Sequence, residues 1–328
     1  MPNYKIYAIG AALVDTEVEV SDSFLSDHAI DKGVMTLVDR SRQTELISSL
    51  NRNGKKLLKQ SGGSACNSVV AAAQLGSKTY FSGKVANDDD GKLYAADLSK
   101  AGVSHCFSPE NQGATGTCLV MVTADAERTM NTYLGVSDNF SEMEINQTAL
   151  VDSEWFYVEG YLQTDDRRTA VVISAVEFAK RQGVKVCLSL SDPFVAQLFA
   201  DNLKSVIGDG IDLIFCNKDE ALAFTGAANL SEAAESLKSY AKTFAITDGA
   251  KGATIFDGNS LLKVPGFKAK AIDTNGAGDM FAGAFLYAIT SGASYLKAAE
   301  LANKAAAMVV ERFGPRLKQA DFELLQIN

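Results

Sequence analysis

Between Trp155 and Thr247 the chain alternates short apolar runs with helix-like stretches, and this alternation narrows the fold more than any other feature. Trp155 to Val158 leads into a helix-like segment near Arg167 to Gln182, and after Gly183 a second run covers Val184 to Leu190. Ile211 to Cys216 and Phe244 to Thr247 continue the series, with Leu230 to Tyr240 helical in pattern between them. Strand–helix–strand units of this spacing close as right-handed crossovers, so the strands are predicted to pair in parallel. Lys5 to Gly10 reads as a further short buried strand stopped by glycine. Thr254 to Phe256 and Leu261 to Val264 form a terminal hairpin across Asp257-Gly258-Asn259-Ser260, and two alanine-rich helices follow at about Ala277 to Ser291 and Tyr295 to Phe313.

A second pattern interrupts the first. Val14, Thr16, Val18 and Val20 alternate with Asp15, Glu17 and Glu19, which predicts a strand with one face covered and one face polar. Val34 to Val38 has the same character, as does a hairpin pairing Thr117 to Thr123 with Arg128 to Leu134. These stretches are either edge strands of the main sheet or a small separate sheet. Their separation by helical material favours the separate sheet, inserted as a lid at about residues 12–38 and 115–136 of one domain spanning residues 1–328.

Composition removes several classes of function. A net charge of −9 argues against a nucleic-acid partner, which normally needs a basic face. The five cysteines are scattered without a C-x-x-C pair, so a disulfide framework or structural zinc site is not expected and a reducing cytoplasm fits best. Met1 to Lys5 runs straight into apolar sequence without a leader pattern, and no window is long and apolar enough to span a bilayer.

Chemistry concentrates in Ala271-Ile272-Asp273-Thr274-Asn275-Gly276-Ala277-Gly278-Asp279, where a glycine loop opens a helix. Glycines let backbone amides approach an anion, and the helix N-terminus adds partial positive charge, so the loop suits a phosphoryl group in transit. Asp279 in the first turn is placed to take a proton from an acceptor hydroxyl. The plain alternative is a strand-to-helix turn with Asp279 at the helix dipole. A dinucleotide fingerprint fails at Phe281, and no Walker A pattern is present.

Three other clusters admit two readings each. Asn217 and Glu220 follow the strand Ile211 to Cys216 and suit either a hydrated Mg²⁺ or a helix cap. Gly62 and Gly63 precede a helix carrying Asn67, an arrangement fit to hold neutral hydroxyls or simply to turn. Thr247 to Gly252 is either a loop under nucleotide phosphates or an ordinary turn.

Taken together, Gly62 to Gly76, Asn217 to Glu220 and Asp273 to Leu286 resemble, in order, the N-terminal signature, the N-x-x-E motif and the C-terminal D-T-x-G-A-G-D signature of the ribokinase/PfkB carbohydrate-kinase family. The resemblance covers essentially the whole chain and is nearest to the adenosine-kinase-like branch. It implies an α/β fold with a doubly wound, mainly parallel central sheet flanked by helices, a small β-sheet lid, and ATP with Mg²⁺ as phosphoryl donor. It implies Asp279 as base, Gly276, Ala277 and Gly278 as anion hole, and Asp15, Gly62, Gly63 and Asn67 around the acceptor. Asn217, Thr247, Gly249, Gly252 and Gly278 would meet ATP, with Glu220 and Asn217 holding magnesium through water. Arg128 is similar to a lid arginine that reaches phosphates. Activation by K⁺ would draw on backbone near Asp273 and Phe313-Gly314-Pro315.

The family's glycine-asparagine after the first strand is Gly10-Ala11 here, and Asn275 stands where threonine is common. The implied acceptor is a purine nucleoside such as adenosine, with fructose, ribose or 2-keto-3-deoxygluconate as the sugar alternative, and Phe140, Tyr133 or Tyr161 as candidate slot residues for a base. A catalytically silent ligand sensor on the same fold is the reading of another class. The expected assembly is a monomer or homodimer.

Overall fold

The computed structural model describes residues 2–52, 54, 55 and 57–325. The N-terminal part runs β1 (Tyr4–Ile9), β2 (Leu13–Glu19), α1 (Asp22–Asp27), β3 (Met35–Leu37), α2 (Arg40–Arg52) and β4 (Leu58–Gly62). It continues with α3 (Ser64–Gln74), β5 (Thr79–Ser82), α4 (Asp89–Lys100), β6 (Val103–His105), β7 (Gly116–Val122) and β8 (Arg128–Tyr133). The alternating half follows as α5 (Gln147–Val151), β9 (Ser153–Glu159), α6 (Asp166–Arg181), β10 (Lys185–Ser189), α7 (Pro193–Leu198) and α8 (Ala200–Ile207). Then come β11 (Ile211–Asn217), α9 (Lys218–Thr225), α10 (Leu230–Leu237), β12 (Ala241–Thr247), β13 (Ala253–Phe256), β14 (Leu261–Val264), α11 (Ala277–Thr290) and α12 (Tyr295–Val309).

The main sheet has nine strands in the order β14-β13-β12-β11-β10-β9-β1-β5-β6. From β6 to β12 every neighbour is parallel, and the β13–β14 hairpin closes the far edge antiparallel. The apolar runs are continuous because both faces are buried. On β9, Trp155 and Tyr157 enter the core beneath α3, α11 and α12, whereas Phe156 and Val158 enter the core beneath α5 to α10. Strand β1 pairs with β5 on one side and β9 on the other, so the strand order reverses there. In open α/β sheets such a reversal leaves a crevice beyond the carboxyl ends of the strands.

The smaller sheet has five strands in the order β3-β8-β7-β2-β4. The β7–β8 hairpin pairs Thr117 with Tyr133 and Val122 with Arg128. Strand β4, which was not legible as a strand, joins β2 antiparallel, so Gly62 ends a strand as well as preceding a helix. One face of this sheet packs Val18, Leu119 and Met121 against Leu25 of α1 and Leu46 and Leu50 of α2. The other face is the polar one of the sequence pattern, and it is covered as well: Asp15 and Glu17 are both buried, with Glu17 only 1% exposed. A period-2 pattern reports which side chains are polar, and here the polar face covers a cavity.

No helix among the described residues is long and apolar enough to cross a membrane.

Candidate active site

Two helices deliver the central carboxylate. Gly276 caps α11 in the left-handed region at φ 74°, so Ala277, Gly278 and Asp279 form its first turn. Further along α11, an added Cβ at Gly283 would lie 2.3 Å from the Ser68 carbonyl oxygen, so only glycine lets α11 approach α3 this closely. That approach brings Asp279 to the start of α3. The Ser64 hydroxyl donates to Asp279 Oδ1 at 2.6 Å, and Asn67 Nδ2 donates to Oδ2 at 3.0 Å. Removal from water raises the proton affinity of Asp279, and these two donors, with Arg128 and Arg316, pull it back down.

Around this point lies a cavity of about 440 Å³. Its floor is the turn Gly276 to Asp279, whose N–H groups have no intrahelical acceptor by the geometry of a helix start. Its roof is the inner face of the small sheet, with Leu13, Met35, Val120, Met130 and Leu134 exposed to the void. Buried carboxyl groups ring it. Asp15 is pushed up to about 7 by desolvation, against the pull of Arg316. No protein donor bonds the Asp15 carboxyl among the described residues. Glu159 is likewise pushed up to about 7 by burial, although it accepts the backbone N–H of Ala65 at 2.8 Å and of Ala11 at 3.1 Å. Behind the lining, Glu17 reaches about 8 through burial and the charges of Asp15 and Asp273, while Asn275 Nδ2 donates to it at 3.0 Å. Carboxylates gathered this way favour a site that receives donors and cations.

At the carboxyl ends of β11 and β12 stand Asn217, Glu220, Thr247 and Gly249, all lining the same cavity. Asn217 and Glu220 form a reciprocal capping box, with Glu220 N–H donating to Asn217 Oδ1 at 2.8 Å and Asn217 N–H to Glu220 Oε2 at 3.0 Å. Glu220 is nevertheless pushed up to about 7 by desolvation and by nearby Asp192. Its oxygens are engaged by Asn217, and no group of three His, Cys, Asp or Glu side chains among the described residues forms a metal cluster. That donor set fits a magnesium ion that keeps most of its water and takes its inner ligands from a phosphate chain. Arg128 reaches into the void from β8, and its Nη1 donates to Asn275 Oδ1 at 3.4 Å. Burial works against its charge, and Tyr161, Asp279, Asp192 and Glu220 outweigh that.

A family model for "pfkB family carbohydrate kinase" matches residues 29–321. The chain belongs to this family. The pfkB-family fold seen here is also that of a probable sugar kinase from Rhizobium etli CFN 42, with TM-score 0.91 and 31% identity over 96% of each chain. An adenosine kinase from Sinorhizobium meliloti superimposes with TM-score 0.90 at 31% identity, covering 98% of both chains. Among curated proteins, an adenosine kinase of Schizophyllum commune is 25% identical over 99% of this chain and 100% of its own length. The pfkB-family chain is therefore an ATP-dependent kinase with an alcohol group as acceptor.

Most residues singled out in the sequence of this pfkB-family kinase line the one cavity: Asp15, Gly63, Asn67, Arg128, Asn217, Glu220, Thr247, Gly249 and Gly276 to Asp279. Two do not. Gly62 lies behind Asp15, where an added Cβ would fall 2.1 Å from the carboxyl carbon, so its role is to leave room for that side chain. Gly252 packs against the end of β14, with a hypothetical Cβ 2.1 Å from Val264 O, which makes it a turn residue. Of the aromatic candidates, Tyr161 lines the cavity, whereas Phe140 is buried in the core with Tyr7 and Leu162. Tyr133 is not among the lining residues. Sequence reasoning missed Ser64, Glu159 and Arg316. Ser64 lay inside a recognised segment, and Glu159 directly follows the recognised run Trp155 to Val158 at the carboxyl end of β9, a position from which α/β sheets habitually present functional groups.

Proposed function

We propose that this kinase transfers the γ-phosphoryl group of ATP to a hydroxyl of a purine nucleoside such as adenosine. The observation that carries the reading is the cavity's asymmetry. Asp15, Asn67 and Asp279 line the cavity as a polar group, with Asn67 bonded to Asp279, and the roof offers the apolar wall of Leu13, Met35, Val120, Met130 and Leu134. A ribose needs the polar group, and a flat apolar base needs the wall. Likeness to the adenosine kinases supports the same acceptor.

In this reading Asp15 and the Asn67 amide hold the acceptor hydroxyls, and Asp279 Oδ takes the proton as the hydroxyl oxygen attacks the γ-phosphorus. Desolvation has already raised the affinity of Asp279 for that proton. The amides from Gly276 to Asp279 face the oxygens of the group in flight, and Arg128 adds charge from the roof. Thr247 and Gly249 seat the nucleotide. Magnesium, held through water by Glu220 and Asn217, would neutralise charge on the phosphates as ADP leaves. Asp273 accepts the Gly314 N–H at 2.9 Å, which places together the two segments that K⁺ activation would use. Five free cysteines fit a reducing compartment such as the cytoplasm.

A second reading, a sugar such as fructose or ribose, is favoured by the roof's lack of an aromatic side chain among its lining residues. ADP release measured over adenosine, inosine, ribose, fructose and 2-keto-3-deoxygluconate decides between them. Adenosine is expected to give the highest kcat/KM, and a sugar exceeding it tenfold or more, as a rough threshold, would reverse the assignment.

A further inference from the structure

Beneath the acceptor end of the cavity lies a cation that no motif marks. Arg316 follows Gly314 and Pro315, and its side chain is only 11% exposed. Its Nε donates to Asn67 Oδ1 at 3.1 Å, its Nη1 to Asp97 Oδ2 at 2.9 Å, and its Nη2 to Ser61 Oγ at 2.9 Å and to the Ser61 carbonyl. Asp97 in turn accepts the Ser61 N–H at 3.1 Å, so the guanidinium is held on three sides.

The chemistry of the partners fixes what lies between. A guanidinium only donates and a carboxylate only accepts. Asn67 sits between the two, so its oxygen must face Arg316 and its amide hydrogens must face Asp279. A neutral amide left alone has two orientations of similar shape, and only one of them supports the base.

We infer that Arg316 is a positioning residue for phosphoryl transfer, locking the Asn67 amide so that its N–H group orients the Asp279 carboxylate toward the acceptor hydroxyl. The inference rests on the kinase reading above and adds a residue that never touches the reacting atoms. Charge acts in the same direction. Arg316 and Arg128 both draw the proton affinity of Asp279 down against burial. The groups facing it in opposition are Asp15 of β2, Tyr157 and Glu159 of β9, and Glu220 of α9.

A double-mutant cycle isolates the coupling. Arg316→Met is expected to lower kcat/KM for the acceptor by about 10- to 100-fold, with the KM for ATP within about twofold of wild type. In an Asn67→Leu background, where no amide remains to be oriented, the same change should cost less than about threefold. Multiplying losses would overturn the inference, because a purely structural arginine acts independently of Asn67. If Arg316→Met fails to fold, Arg316→Lys keeps the charge, cannot bridge Asn67 and Asp97 together, and enters the same cycle. A second readout needs no turnover and so separates this inference from the kinase reading. The ¹³C carboxyl titration of Asp279 in the resting protein, assigned against Asp279→Asn, should move to higher pH in Arg316→Met. An unmoved titration would also overturn it.

Discussion

The two sheets use their strands differently. In the nine-stranded sheet the strand interiors are packed on both faces, and functional side chains appear only at the carboxyl ends, as with Glu159 on β9 and Asn217 on β11. In the five-stranded sheet one face is packed by α1 and α2, and the other is a wall of the cavity, so positions in mid-strand such as Asp15 and Val120 reach the ligand space. A core strand is tested by what it does to stability, and a roof strand by what it does to binding.

The largest effect anchors the comparison at the floor both sheets serve. Asp279→Asn keeps volume and loses the acceptor for a proton, so kcat should fall by about 10²–10⁴ while ATP and acceptor still bind. Near-wild-type kcat in that variant, with both affinities measured by calorimetry, would sink the base assignment.

Next comes a matched pair. Phe156→Ala, in the middle of β9 and fully buried, should cost about 3–5 kcal/mol of stability and leave KM values alone in whatever folds. Asp15→Asn, in the middle of β2, should raise the acceptor KM by about 10- to 100-fold without lowering the melting temperature. A reversal of those two phenotypes, read by denaturant unfolding and initial rates, would erase the distinction between the sheets.

Smaller again is Glu220→Gln. The half-saturating Mg²⁺ concentration should rise about 3- to 10-fold, with a modest loss of about 1 kcal/mol from the weakened capping box. Loss of melting temperature with an unchanged magnesium response would leave Asn217 and Glu220 as a cap and nothing more.

The smallest effect concerns Glu17. Its folded-state proton affinity lies at about 8, above the ordinary carboxylate range, so the folded chain binds the extra proton between the unfolded value and about 8. Its contribution to stability is therefore fully present at acidic pH and is lost as pH rises toward 8. Glu17→Gln can still accept from Asn275 without a charge, so it should flatten the fall in melting temperature between pH 6 and 8. An unaltered slope would show that Glu17 is not the group titrating there.

The alternating half was legible because each element there obeys one local rule: β9 to β12 are short apolar runs, and the structure places each within a residue or three of the sequence boundaries. The helix-opening glycine turn and the Asn217/Glu220 cap were legible for the same reason, since turns and caps are written in consecutive residues. What stayed hidden depends on contacts far apart in the chain. Strand β4, Leu58-Lys59-Gln60-Ser61-Gly62, has little apolar pattern of its own and exists because β2 offers it a partner. The burial of Glu17 depends on Asn275, which lies 258 residues away, and the role of Arg316 depends on Ser61, Asn67 and Asp97. No window along the sequence contains these pairs.

The contact of Gly283 with the Ser68 carbonyl sets where Asp279 stands relative to Asn67, and it does so backbone to backbone. Side-chain repacking cannot adjust such a spacing, so a protein engineer cannot shift the carboxylate by small degrees through neighbouring core residues. The active geometry is then all or nothing: on slow heating, loss of catalysis and loss of the α3–α11 packing should arrive together, with no warm, folded and idle form between them.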